Sequence, residues 1–200
     1  SHRIFIRMKI AITGTTGLAE AIAGALQDHK IYTPRIDDIL MNPEHGYWFD
    51  KTNPNEYDVF INHAHRDFDQ VTIFDIFMKH WKRLPDKYII NISSRAHQPN
   101  ISKGHMYASQ KAALNHYTNN IVYNSDKLCR VTTLNLGLLN NEDLPSLTYK
   151  EVADAVEFLI DLPKHIEIPE VTLQHSANYL EIQSDKEAIK EAEWLVQGKS

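Results

Sequence analysis

Short runs of consecutive apolar residues alternate along this chain with longer segments of helical period. That alternation constrains the fold more than any other feature. Residues 9–13, 58–62, 88–93 and 130–136 are each dense in Ile, Val, Leu, Phe and Tyr. Such runs, apolar on both alternating faces, suit strands covered on both sides. Residues 18–26, 68–83, 107–123 and 149–162 instead place apolar side chains three and four apart, the mark of one helix face. Examples are Ile22, Ala25 and Leu26, or Val152, Val156, Leu159 and Ile160. Strand–helix units repeated in this way predict a doubly wound parallel sheet, Rossmann-like, with three α/β/α layers in a single domain.

Further elements follow from the same pattern. Residues 31–33 read as a second short strand stopped by Pro34, and residues 37–56 as mostly loop because of Asn42-Pro43, Gly46 and Asn53-Pro54. A short strand near Tyr47-Trp48-Phe49, late strands at 172–173 and 179–182, and a last helix at 186–196 complete the expectation. The stripe of Phe74, Phe77 and Trp81 reads as core or subunit interface. Residues 8–200 form the expected domain, with Met8 a candidate start and residues 1–7 a leader or remnant.

Composition narrows the function classes. The 200 residues are 42% hydrophobic and 24% charged, as in ordinary globular domains. No apolar run approaches the ~20 residues that span a bilayer. With 21 Lys+Arg against 26 Asp+Glu the net charge is −5, a poor match to the phosphates of nucleic acid. The single cysteine, Cys129, cannot form an internal disulfide, which suits the cytoplasm. A small-molecule partner, with neither nucleic acid nor membrane, is the expectation. His63-x-His65 lacks a third ligand at a known spacing, so no metal is expected.

The turn Thr13-Gly14-Thr15-Thr16-Gly17-Leu18 joins the first strand to the first helix. Gly14 can take backbone angles closed to other residues, and Gly17 permits close approach of a ligand. The helix behind them offers free N–H groups and a partial positive end, which favours a diphosphate. The residue that reads the adenosine ribose lies ~20 positions further on. Asp37 there would favour NAD, and Arg35 would favour NADP through the 2′-phosphate. Both stand near the end of the second strand, and Arg35, being nearer, tips the expectation slightly to NADP.

Tyr107 and Lys111 are four apart on a helix and share a face. A tyrosine ordinarily ionises near ~10, too high for proton exchange at neutral pH, and a nearby ammonium lowers that value. Ser94, at the end of a strand, can hold a substrate oxygen where Tyr107 exchanges a proton. Together these groups suit hydride transfer between a nicotinamide and a small carbonyl or alcohol.

The whole set resembles the short-chain dehydrogenase/reductase family. The glycine turn is similar to that family's, shortened by one residue and with Ala19 at its third glycine. Asn62-His63-Ala64-His65 resembles its Asn-Asn-Ala-Gly segment, Asn91-Ile92-Ser93-Ser94 its serine strand, and Tyr107-Ala108-Ser109-Gln110-Lys111 its Tyr-x-x-x-Lys motif. Residues 130–137 resemble its strand ending in Pro-Gly, with Leu136 for the proline.

By this resemblance Tyr107 is the general acid/base, Lys111 lowers its pKa and binds the nicotinamide ribose, and Ser94 polarises the substrate oxygen. Gly14, Thr16, Gly17 and Leu18 line the diphosphate turn, Asn62 and Ala64 flank the adenosine side and the nicotinamide, and Gly137 and Leu138 offer backbone to the carboxamide. A homodimer or homotetramer is also implied.

Three departures stand out. One helix of the first half is expected to be missing. The family's fourth catalytic residue, an Asn, has no match, and Asp67, Asp69 and Gln70 occupy its region. The substrate lid, at residues 140–147, is short. Two other readings stay open: a dinucleotide-binding sensor without turnover, and a sugar-nucleotide reductase or epimerase on the same fold.

Overall fold

The structure is a computed structural model and describes residues 5–41, 54–98 and 104–177. Among the described residues six strands and five α-helices alternate: β1 (Lys9–Ile12), α1 (Leu18–Ala25), β2 (Lys30–Tyr32), α2 (Ile36–Leu40), β3 (Val59–Asn62), α3 (Asp69–Trp81), β4 (Tyr88–Ser94), α4 (His105–Asn124), β5 (Arg130–Leu136), α5 (Tyr149–Asp161) and β6 (Glu170–Leu173). The strands pair in the order β2-β1-β3-β4-β5-β6, all parallel. Parallel neighbours need a crossover, and each crossover lays a helix against the sheet.

Strand residues alternate between two cores. Ile10, Ile12, Val59, Ile61, Ile90 and Leu134 face α1 and α5, where Ile22, Leu26, Val152, Val156 and Leu159 meet them. Ala11, Phe60, Ile89 and Val131 face the other way, toward Ile39 of α2, Phe74, Phe77 and Trp81 of α3, and Leu114 of α4. Phe74, Phe77 and Trp81 are all fully buried, so that stripe is core within one chain. Phe77 stacks on Phe60 at 3.7 Å and meets Trp81 edge-on at 5.0 Å.

Local signals start and stop these elements. Thr148 and Glu151 form a reciprocal cap at the start of α5: Thr148 Oγ1 accepts the Glu151 N–H at 3.2 Å, and Glu151 Oε2 accepts the Thr148 N–H at 2.8 Å. The stretch after β2 corrects the sequence reading. A five-residue helix, α2, stands where loop was expected, so the first-half helix is shortened rather than lost. Pro34 is buried just before it, and Ile39 anchors it to the core. The expected strands at 47–49 and 179–182 and the helix at 186–196 lie outside the described residues. No described helix is long and apolar enough to cross a membrane.

Strand order reverses between β1 and β3. Ligands of such sheets bind at that crevice, beyond the carboxyl ends of the strands. Gly14, His63, Ser94 and Gly137 follow the ends of β1, β3, β4 and β5 or close them.

Candidate active site

The β1–α1 turn is built for close approach. Gly14 has φ +100° and Gly17 φ +59°, both in the region that favours glycine. A Cβ on Gly14 would stand 2.9 Å from His63 Nδ1. One on Gly17 would stand 3.5 Å from the Tyr149 hydroxyl. Among the described residues, the N–H groups of Thr16, Gly17 and Leu18 have no hydrogen-bond partner. These donors and the cramped glycines fit a diphosphate.

Thr13, fully buried, fixes the neighbouring loop. Its Oγ1 accepts the N–H groups of His63 at 3.1 Å and Ala64 at 3.0 Å. This ties the end of β3 to the end of β1 across the crevice. Sequence reasoning passed over Thr13, although a buried threonine closing a strand is the signal for such a clasp. Asn62 is placed differently from expectation. It is fully buried, and its Nδ2 donates to Gln70 O at 2.9 Å and Asn91 Oδ1 at 3.0 Å. Its side chain therefore pins β3 to β4 beneath the site and does not line a nucleotide surface.

Ser94, Tyr107 and Lys111 converge from β4 and α4. Ser94 ends β4, and its Oγ accepts the Ala96 N–H at 3.0 Å, which starts the turn Arg95–His97. His97 Nδ1 bonds Ser94 O at 2.7 Å and holds the serine backbone. Tyr107, on the first turns of α4, stands near enough to Ser94 for the serine side chain to bear on its phenol. Lys111, one turn on, is buried, with its ammonium 5.6 Å from the centre of the Tyr107 ring.

The ammonium does not act on the phenol as expected. Burial raises Tyr107 above its ordinary ionisation range, and the nearby Ser94 side chain offsets only part of that rise. Lys111 Nζ turns instead to two neutral acceptors, Gln70 Oε1 at 2.6 Å and Ile92 O at 3.3 Å. Burial pushes the lysine down to about 8. Gln70 is itself held, its Nε2 donating to Asn62 O at 2.8 Å and Ile92 O at 2.9 Å. Of Asp67, Asp69 and Gln70, Gln70 is the one that reaches the lysine. Asp69 pairs with Arg66.

The two histidines that stand where the resembled family has Asn and Gly go to different neighbours, because β3 has ended before them. His63 lies across Gly14 with its Nδ1 on Thr13 O at 3.2 Å. His65 lies edge-on against the Tyr107 ring at 4.9 Å. They therefore do not form the shared face that a metal pair would need.

The ribose-reading and carboxamide positions are placed as follows. Arg35 caps α2 in an extended conformation and is exposed. Asp37 is exposed and pairs with Arg66 at 2.8 Å, which holds its carboxyl below the usual range. The Gly137 N–H donates to Leu173 O at 2.9 Å, so that donor is spent within the sheet. The Leu138 carbonyl accepts the Leu147 N–H at 2.9 Å.

Comparison with solved structures places this arrangement. A short-chain dehydrogenase from Burkholderia cenocepacia in complex with NADP superposes with TM-score 0.65 at 18% identity, covering 94% of this chain and 96% of that one. Serine dehydrogenase in its closed form with NADP+ gives 0.63 at 18% identity, covering 84% and 94%. An alcohol dehydrogenase from the archaeon Thermococcus sibiricus, complexed with 5-hydroxy-NADP, gives 0.63 at 18% identity, covering 85% and 97%. The fold is that of the short-chain dehydrogenases/reductases. No protein-family profile matches the sequence, and no curated protein does.

Proposed function

We propose that the chain is an NAD(P)-dependent oxidoreductase acting on a small carbonyl or alcohol through Ser94, Tyr107 and Lys111. The observation that carries this reading is the convergence of Ser94, Tyr107 and the Lys111 ammonium, 5.6 Å from the centre of the Tyr107 ring, at the carboxyl end of β4. The complexes of similar fold with NADP support the cofactor class. Arg35 near the end of β2, with Asp37 already engaged by Arg66, favours NADP.

A nicotinamide dinucleotide, when bound, supplies or accepts the hydride. The chain's own residues handle everything else. The α1 N-terminus and the glycine turn bind the diphosphate. Ser94 donates to the substrate oxygen and fixes its position, and Tyr107 delivers the proton to that oxygen in reduction or removes it in oxidation. Lys111 reaches for ribose hydroxyls. Gln70 keeps it aimed there.

The test is cofactor binding followed by turnover. Thermal-shift titration should show stabilisation that grows with NADP(H) concentration. A carbonyl panel should then reveal NADPH oxidation that Tyr107→Phe abolishes. One observation favours a second reading, a dinucleotide-binding protein without turnover: the His65 imidazole stands against Tyr107. Nucleotide binding with no turnover on any carbonyl would select it.

A further inference from the structure

We propose that the His63 imidazole is a direct ligand of the anionic diphosphate of a bound dinucleotide, and that it binds as imidazolium. This rests on the nucleotide reading above and names a residue of the same site.

The geometry comes first. The ring lies in contact with the β1–α1 turn, so close that a Cβ on Gly14 would be 2.9 Å from Nδ1 and 3.5 Å from Cε1. Nδ1 is occupied by Thr13 O at 3.2 Å, which orients the ring. Nε2 has no partner among the described residues, and nor do the Thr16, Gly17 and Leu18 N–H groups of the same turn. An anion drawn to those N–H groups therefore arrives beside an imidazole whose second nitrogen is uncommitted.

Charge around the ring points the same way. Just past β1 it faces the Thr13 carbonyl, and the Lys111 ammonium bears on it from α4, while the Gln70 amide of α3 goes to the His63 backbone carbonyl and not to the ring. No carboxylate among the described residues bears on it. Burial and Lys111 hold the free imidazole below its ordinary range, so it is neutral at pH 7. A neutral Nε2 is an acceptor and repels phosphate oxygen. A protonated Nε2–H donates to it. The diphosphate brings the missing negative charge to two cations at once, so binding is coupled to proton uptake.

The experiment is calorimetric titration of the full chain with NADH at pH 7 in Pipes and in ACES, whose ionisation heats differ. NADH is the probe because its diphosphate has no group titrating near neutrality. Wild type should take up close to one proton. Its affinity should tighten as pH falls from 7 to 6, below the Lys111 titration at about 8, approaching about tenfold per unit where the free ring is neutral and the bound one charged. His63→Asn should bind with that uptake and pH dependence lost, and His65→Asn should retain both. Histidine Cε1–H shifts followed by NMR give an independent reading of His63 protonation in each state. Binding without proton uptake, or undiminished uptake in His63→Asn, overturns the proposal and leaves the nucleotide reading standing. Failure of NADH and NADPH to bind at all overturns both.

Discussion

Lys111 Nζ donates to Gln70 Oε1 at 2.6 Å, and both side chains are buried. The lysine is thus aimed by a neutral amide and a backbone carbonyl rather than by a carboxylate. A carboxylate there would neutralise the ammonium. The amide orients it and leaves its charge available to a ribose. Gln70→Glu should raise the Lys111 pKa from about 8 toward or above its ordinary value, and Gln70→Ala should leave the ammonium unaimed. Side-chain nitrogen NMR of Lys111 reads the first effect. A fall in kcat of tenfold or more with modest change in KM reads the second, and Gln70→Asn should not restore it because its shorter amide cannot reach.

Burying that charge costs stability. Folding lowers Lys111 from 10.5 to about 8, so between those values the unfolded chain binds more protons than the folded one. Wild-type stability therefore gains from this group as pH rises through that window, and the penalty is fully present below 8. In full it is about 3 kcal/mol. Lys111→Met removes it but forfeits two hydrogen bonds from an ammonium, about 1.5–3 kcal/mol each. The variant should therefore be no more stable than wild type, and up to about 3 kcal/mol less, at pH 7. Chemical denaturation of both proteins should show the difference moving further in favour of wild type as pH climbs from about 8 toward 10.5.

Gly14 combines φ +100° with a close histidine. Gly14→Ala forces a side chain into both a strained backbone and the His63 ring. It should destabilise the fold by about 1–3 kcal/mol and weaken NADPH binding by at least tenfold. Denaturation and thermal shift with NADPH measure the two separately.

His65 packs edge-on against Tyr107, a contact of about 0.5–1.5 kcal/mol. Substrate that approaches the Tyr107 ring from this side competes with that contact. His65→Gly should lower KM by about 2–10-fold with little change in kcat.

The elements differ in how plainly the sequence announces them. β3, β4 and β5 are buried on both faces, so apolar residues stand side by side in them, as in Val59-Phe60-Ile61 and Tyr88-Ile89-Ile90, and mark them plainly. Helix α2 was missed because five residues between Pro34 and Asn42-Pro43 hold too few positions for a period to show. Tyr107, Lys111 and Ser94 were legible from local spacing and strand ends. The direction of the Lys111 ammonium was not, because the acceptors that turn it belong to α3 and β4. Asn62 was misread for the same reason: only the fold shows that Gln70 and Asn91 take its amide. The paths of His63 and His65 depend on β3 ending at Asn62, a boundary that apolar patterning fixes only loosely.

Deuteride transfer from C4-deuterated NADPH to a carbonyl panel, followed by mass spectrometry for wild type and Tyr107→Phe, tests the central claim most directly. Label should appear on the alcohol carbon with wild type and fall by at least a hundredfold with Tyr107→Phe, while NADPH binding persists in both. Label transfer at an undiminished rate in Tyr107→Phe, or bound NADPH with no transfer to any carbonyl, would contradict it.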